Sequence, residues 1–183
     1  MAEPFTITEH TNLALATIMA RKGVDPAAIE AALADTQLIP TGPGTWLAVS
    51  YCDPPPYPGE GRGPVPTPDL DPGLRRDTLK DLASVSDQSG GYIVYRFSGP
   101  AARTLLQRGA FIDLHPSVFG PGSSAVTVIA HIGVILWQAD DDTSFDVALF
   151  RSFAGSFRHW VEASANAHDR HPDESRDPWD PQV

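Results

Sequence analysis

Residues 53–73 constrain the fold of this chain more than any other feature. The segment DPPPYPGEGRGPVPTPDLDPG holds eight of the eighteen prolines in the 183-residue sequence. Proline removes a backbone donor and fixes φ, so the segment forms neither a helix nor a central strand, and it is longer than an ordinary loop. We expect an extended arm, Asp53–Gly73, that lies on a neighbouring chain through Tyr57 and Arg62. A surface insertion without contacts and a polyproline ligand built on PPPYP are the alternatives.

Two helices and one strand are predicted before the arm. From Thr11 to Ala34 the apolar spacing is helical, and Asp25 followed by Pro26 predicts the N-cap and first residue of the second helix. TWLAVSY, Thr45–Tyr51, follows a Gly-Pro-Gly turn and predicts a strand.

After the arm, the pattern is regular and strands dominate. A short helix is predicted at Leu74–Ala83, a second from Pro100 to a left-handed Gly109, and a third at Phe153–Ala165. The predicted strands are Gly91–Phe97, Ala125–His131, Gly133–Trp137 and Ser144–Phe150. This order indicates the α+β class, a mainly antiparallel sheet with helices on one face, in a single domain at 1–166 with a polar C-terminal tail at 167–183.

Composition excludes several classes of function. The hydrophobic fraction of 42% is typical of a globular protein, and the net charge of −10 disfavours nucleic acid and anionic lipid as partners. No apolar run approaches a membrane span, and the start MAEPFTITEH is unlike a secretory signal. Cys52 is the single cysteine, so neither an intramolecular disulfide nor a cysteine-pair zinc site can form. We expect a soluble cytoplasmic protein.

A search for catalytic, cofactor-binding or metal-ligating residues finds none. The six histidines are scattered without a metal-binding spacing, and Cys52 has no adjacent base. Gly120 and Gly122 lead into a strand, whereas a phosphate cradle leads into a helix. The sequence therefore predicts no such site within this chain.

Asp113 and His115 in FIDLHP are the nearest approach to a reactive pair. Alternate residues share a face in an extended segment, so the acid and the imidazole could act together. The alternative, which we favour, is a hydrogen-bonded pair that fixes the turn before Pro116.

The aromatic content exceeds what one small core needs, which predicts a protein interface. The aromatic candidates are Trp46, Phe111, Phe119, Phe153, Phe157 and Trp160, with Arg103 and Arg151 as flanking ion-pair donors. The alternative is that all of the aromatic residues belong to the core.

An ordered series of motifs resembles one known family. The series begins with GPGTWL at Gly42–Leu47 and continues with SDQSGGYIVYRFSGPAARTLLQRGAFIDLHPSVFGPGSSAVT at Ser86–Thr127. GVILWQ and FDVALFRSFAGSFRHWVEAS complete it. Together they resemble the gamma subunits of heterotetrameric sarcosine oxidases, over most of the chain up to about Ala165.

The resemblance implies a structural subunit of an enzyme complex. It implies a fold similar to part of the folate-binding aminomethyltransferase fold, and alpha, beta and delta subunits as partners. FAD, FMN, NAD, tetrahydrofolate and zinc are then expected in the partners and no cofactor in this chain. The implied complex converts sarcosine to glycine and hydrogen peroxide, and it passes the one-carbon unit to tetrahydrofolate.

Other functions remain open at this stage. The same subunit role in an oxidase or dehydrogenase of dimethylglycine, N-methylglutamate or a betaine-derived amine is one alternative. A free-standing folate-binding module is another, and a proline-rich signalling adaptor is a third.

Overall fold

The computed structural model describes residues 5–34, 36–51 and 79–169. Its strands are β1 (Thr6–His10), β2 (Leu13–Ala20), β3 (Gln37–Gly42), β4 (Thr45–Tyr51), β5 (Ala83–Asp87), β6 (Tyr92–Ser98), β7 (Ser124–Ile129), β8 (Ile132–Gln138) and β9 (Phe145–Phe150). Its helices are α1 (Pro26–Ala32), α2 (Ala102–Gln107) and α3 (Ala154–Asp169), and a 3₁₀ turn at Arg151–Phe153 precedes α3.

The strands form two antiparallel sheets. One has five strands in the order β1-β6-β9-β8-β7, and the other has four in the order β3-β4-β2-β5. Every strand pairing in both sheets is antiparallel. The α+β class and the antiparallel pairing predicted from the sequence are confirmed, and the predicted sheet is divided into two.

Alternation along the strands divides the interior into three apolar clusters. Between the sheets, Leu15 and Val49 of the four-stranded sheet meet Val94 and Ala148 of the five-stranded sheet. The opposite face of the five-stranded sheet packs on α2 and α3. The outer face of the four-stranded sheet packs on α1. The layers are therefore helices, sheet, sheet and helix, so that each sheet carries its helices on its outer face.

The helix predicted to begin near Thr11 is wrong, because these residues form strand β2. Its apolar residues are buried on both sides of the sheet, since β2 lies between β4 and β5 and is covered by the second sheet and by α1. Burial on both faces removes the alternation that marks a strand. The spacing of the apolar residues then resembles that of a helix.

Several predictions that rest on local sequence patterns are confirmed. Asp25 is the N-cap of α1, its carboxylate accepts a hydrogen bond from the backbone N–H of Ala27 at 3.1 Å, and Pro26 is the first helical residue. The strands predicted at 45–51, 91–97 and 144–150 are confirmed to within one residue at each end. The last helix is also confirmed, and it runs on to Asp169.

Some predictions need correction or lie outside the described residues. Gly109 does not have the left-handed φ expected of it, and Ala83, predicted as the end of a helix, begins β5. Residues 74–78 of that predicted helix lie outside the described residues. The arm Asp53–Gly73, with Tyr57 and Arg62, lies outside the described residues. So does the tail from residue 170 onward.

Candidate functional site

Arg103 on α2 fastens the loop after the helix to the five-stranded sheet. Its Nη1 donates to the carbonyl oxygens of Leu114 and Phe119, the latter at 2.8 Å. Its Nη2 donates to Oε1 of Gln138 on β8 at 3.1 Å. The guanidinium carbon lies 4.8 Å above the ring of Phe145. The planar fork of arginine thus links helix, loop and sheet within the chain.

Asp113 and His115 form a turn and not a reactive pair. The Asp113 carboxylate accepts the backbone N–H of His115 at 2.8 Å, and His115 Nδ1 lies 2.7 Å from Ser117 Oγ. Both side chains are exposed. This arrangement is the turn-fixing alternative that we favoured for the segment before Pro116.

The most buried charge in the described residues is Asp146, which the sequence reasoning missed. The side chain is on β9 and the residue is 2% exposed. Arg96 of β6, directly opposite in register, donates to it from Nε at 2.8 Å and from Nη2 at 2.6 Å. His10 Nε2 of β1 lies 3.3 Å from Oδ1. The available signal was one arginine and one aspartate inside otherwise apolar strands.

The environment of Asp146 favours its charged form. Burial by itself raises the pKa of a carboxyl group, but the hydrogen bonds and charges of Arg96 and His10 outweigh it. The pKa of Asp146 is therefore lowered from its ordinary value. This cluster joins β1, β6 and β9 and stabilises the pairing of the three strands.

Arg151 also binds main-chain oxygens and not an acid. Its Nη2 donates to the carbonyl of Tyr92 at 2.9 Å, and its Nε donates to that of Gly90 at 3.4 Å. The side chain is exposed. Arg151 thus ties the 3₁₀ turn to the start of β6, where we expected an ion pair.

The aromatic residues predicted at an interface divide into core and surface. Trp46 is 4% exposed and packs under α1, which removes it from any partner surface. Phe119 and Phe157 are likewise buried. Phe111 is 69% exposed, Phe153 is 47% exposed, and Trp160 is half-buried against the core.

Metal and membrane sites were sought in the same residues. In the part of the chain that the structure describes, no three His, Cys, Asp or Glu side chains are grouped to hold a metal ion. Of the helices described there, none is both long and apolar enough to cross a membrane.

Comparison with known proteins places the chain in a family. Residues 73–167, more than half of the chain, match the model of the sarcosine oxidase, gamma subunit family. Sarcosine oxidase subunit gamma of Corynebacterium sp. (strain P-1) is 35% identical over 77 residues, 42% of this chain and 37% of that protein. Its counterpart in strain U-96 is 34% identical over 90 residues, 46% of this chain and 43% of that protein. The matched segments span less than half the length of these relatives.

A solved structure has the same fold. A chain of the heterotetrameric sarcosine oxidase from Corynebacterium sp. U-96, in complex with pyrrole 2-carboxylate, superimposes with a TM-score of 0.74 at 22% identity. The match covers 92% of this chain and 87% of the other. The protein is thus of the two-sheet α+β class, with charged side chains that brace its own backbone. It belongs to the sarcosine oxidase gamma subunit family, and the resemblance drawn from the sequence motifs is confirmed.

Proposed function

We propose that this chain is the non-catalytic gamma subunit of a cytoplasmic heterotetrameric sarcosine oxidase. The observation that carries the proposal is the family match over residues 73–167. It gains support from the fold, which is that of a chain in a heterotetrameric sarcosine oxidase over nearly the whole length.

In the proposed complex, alpha, beta and delta subunits supply the cofactors. FAD and FMN pass electrons to oxygen, the alpha subunit binds NAD, tetrahydrofolate accepts the one-carbon unit, and the small delta subunit binds zinc. The net reaction converts sarcosine, oxygen and tetrahydrofolate to glycine, hydrogen peroxide and methylene-tetrahydrofolate.

The side chains of this chain support a structural role. Arg103 and Arg151 donate to main-chain carbonyls, and Asp146 is held by Arg96 and His10. Groups committed in this way fix the shape of the subunit, and a fixed shape lowers the cost of assembly.

We further propose that the partner surface includes Phe111, Trp160, Arg103 and Arg151, together with Tyr57 and Arg62 of the arm. Phe111 supports this best, since an aromatic residue so exposed is typical of interfaces. Trp46 is left out because of its burial.

Co-expression tests the proposed function. The tagged chain is expressed with the subunits encoded beside it and purified through its tag, and the eluate is assayed for flavin absorbance and sarcosine-dependent hydrogen peroxide. We expect both, together with three further chains. A panel of dimethylglycine, N-methylglutamate and other N-methyl amines assigns the substrate. A chain that purifies alone, without flavin, contradicts the proposal.

A further inference from the structure

Among the residues that the structure describes, strand β1 is an open edge of the five-stranded sheet. It pairs with β6 on one side, and Thr6 to Glu9 are exposed. The other end of this sheet is partly covered, because Ala110 forms a bridge with Ile129 of β7. The edge strand β3 carries Pro40 and a register shift beside it. Such features discourage a further strand, and β1 has neither a proline nor a register shift in its pairing.

A groove of about 250 Å³ lies between β1 and α3. Ile7 and Glu9 form one wall, Tyr95 of β6 and Phe157 of α3 lie in its lining, and Arg158 and Glu162 of α3 form the other wall. The rings of Tyr95 and Phe157 stack with their centroids 6.0 Å apart. The groove therefore runs along strand β1 over the buried rings of Tyr95 and Phe157, and Ile7, 39% exposed, is an apolar side chain that a partner can contact there.

The charges and polar groups around the groove indicate what it accepts. Glu9 and Glu162 outnumber Arg158, so the rim carries a net negative charge. Tyr95 in the lining of the groove is 4% exposed. Burial raises the pKa of Tyr95, and the negative charge of Glu9 raises it further. An apolar group with a neighbouring cation complements this lining.

We propose that β1 and this groove receive an extended segment of a partner subunit, which adds a strand to the five-stranded sheet. The proposal rests on the subunit role proposed above. Main-chain hydrogen bonds to β1 supply affinity, as in other strand additions. On the added strand, the two residues opposite Ile7 and Glu9 are two positions apart, and their side chains face the groove. The segment therefore carries an apolar residue and a lysine or arginine separated by one residue.

Charge argues against two other occupants. A second copy of this chain brings a further net charge of −10 to an acidic rim. Residues 170–183 of the chain itself carry four acids and two arginines. The acidic rim repels both of these occupants and attracts a basic segment, because like charges across an interface disfavour binding.

Hydrogen exchange identifies the occupant. In the isolated full-length chain, we expect the β1 amides that face away from β6 to exchange freely at low and high protein concentration. In the purified complex they become protected, while the amides of α1 are unchanged. Protection already present in the isolated chain means a second copy or the chain's own tail fills the edge, and either result overturns the proposal.

A pair of double variants tests the groove itself. Ile7→Asp with Glu9→Lys alters the groove, and Met19→Asp with Glu30→Lys makes the same charge change at exposed residues elsewhere. The first pair is expected to weaken capture of the partner subunits by about tenfold or more, and the second to leave it unchanged. Equal capture by both pairs, with unprotected β1 amides, overturns the docking site and leaves the subunit role intact. Failure of the wild-type chain to capture any subunit overturns both.

Discussion

Gly109 and Trp160 pack so closely that a Cβ atom on Gly109 would stand 2.5 Å from Cζ2 of the indole. This contact holds the end of α2 against α3. Lack of space, and not a left-handed backbone, thus explains the glycine at this position.

Gly109→Ala is therefore expected to destabilise the fold. The loss in free energy of unfolding, measured by urea denaturation, is about 1–3 kcal/mol, since the methyl group displaces a half-buried indole. Gly133→Ala is the matched control, because a Cβ there meets nothing within 4 Å, and its effect stays within about 0.5 kcal/mol. Combining Gly109→Ala with Trp160→Leu recovers part of the loss. Equal effects at both glycines would refute the steric account.

Asp146→Asn tests the buried ion cluster. The asparagine side chain removes the charge that Arg96 and His10 bind, while the Arg96 side chain stays one-third exposed to solvent, so we expect a loss of about 1–3 kcal/mol at neutral pH. The exposed Asp81→Asn is the control, with a change within about 0.5 kcal/mol.

The stability that Asp146 contributes through Arg96 and His10 is expected to depend on pH. The pKa of Asp146 is lowered on folding, so the folded chain binds fewer protons than the unfolded chain at this site. Its contribution is present above the unfolded-state pKa, about 3.9, and is lost as the pH falls through the folded-state pKa. The stability difference between wild type and Asp146→Asn should narrow in acid. A difference in stability between the two proteins that does not change with pH would contradict a lowered pKa of Asp146 in the folded chain.

Arg103→Lys tests the anchoring of the loop at 110–123. An ammonium group cannot reach Leu114, Phe119 and Gln138 together, so buried acceptors lose their donor. We expect a loss of about 2 kcal/mol, measured by urea denaturation. Arg108→Lys changes a single hydrogen bond to the Ser164 carbonyl and is expected to cost less than about 0.5 kcal/mol. An Arg103→Lys variant as stable as Arg108→Lys would show that the fork is dispensable.

Helix caps and strands that depend on short sequence patterns were predicted correctly. The Asp25-Pro26 cap and the strands at Thr45–Tyr51 and Tyr92–Ser98, which are rich in β-branched and aromatic residues, need little information from the rest of the chain. β1 was missed because its TITEH sequence is mostly exposed and polar, and its pairing with β6 is set by tertiary structure.

The turn between β7 and β8 also escaped prediction. Ala130 and His131 both have positive φ, 50° and 67°, and form a two-residue hairpin turn. Asparagine and glycine are the usual residues there, so the sequence carries no turn signal. The hairpin is imposed by the pairing of its strands.

In the candidate site, the hydrogen-bond partners of the charged residues could not be predicted from the sequence. Arg103 and Arg151 were predicted as ion-pair donors at an interface, but within the chain they donate to the main-chain carbonyls of Phe119 and Tyr92. Arg96 and Asp146 lie 50 residues apart, and only the pairing of β6 with β9 brings them together. Sequence spacing contains no information about such a contact.

Phe111→Ser tests the proposed interface. Because Phe111 is 69% exposed, the isolated chain should keep its free energy of unfolding within about 0.5 kcal/mol. Affinity for the partner subunits, measured by titration of the immobilised chain, should fall about tenfold. Val126→Ser, at another exposed apolar residue outside the proposed surface, serves as the control. Unchanged affinity in the Phe111 variant removes this residue from the interface.

The function we propose makes this chain one subunit of a four-chain flavin enzyme. Native mass spectrometry of the complex, co-expressed with the neighbouring subunits and purified through this chain, measures that directly. The account predicts one dominant assembly that contains this chain, three different partners and bound flavin. A dominant species containing this chain alone, while the partners are present and folded, would contradict it.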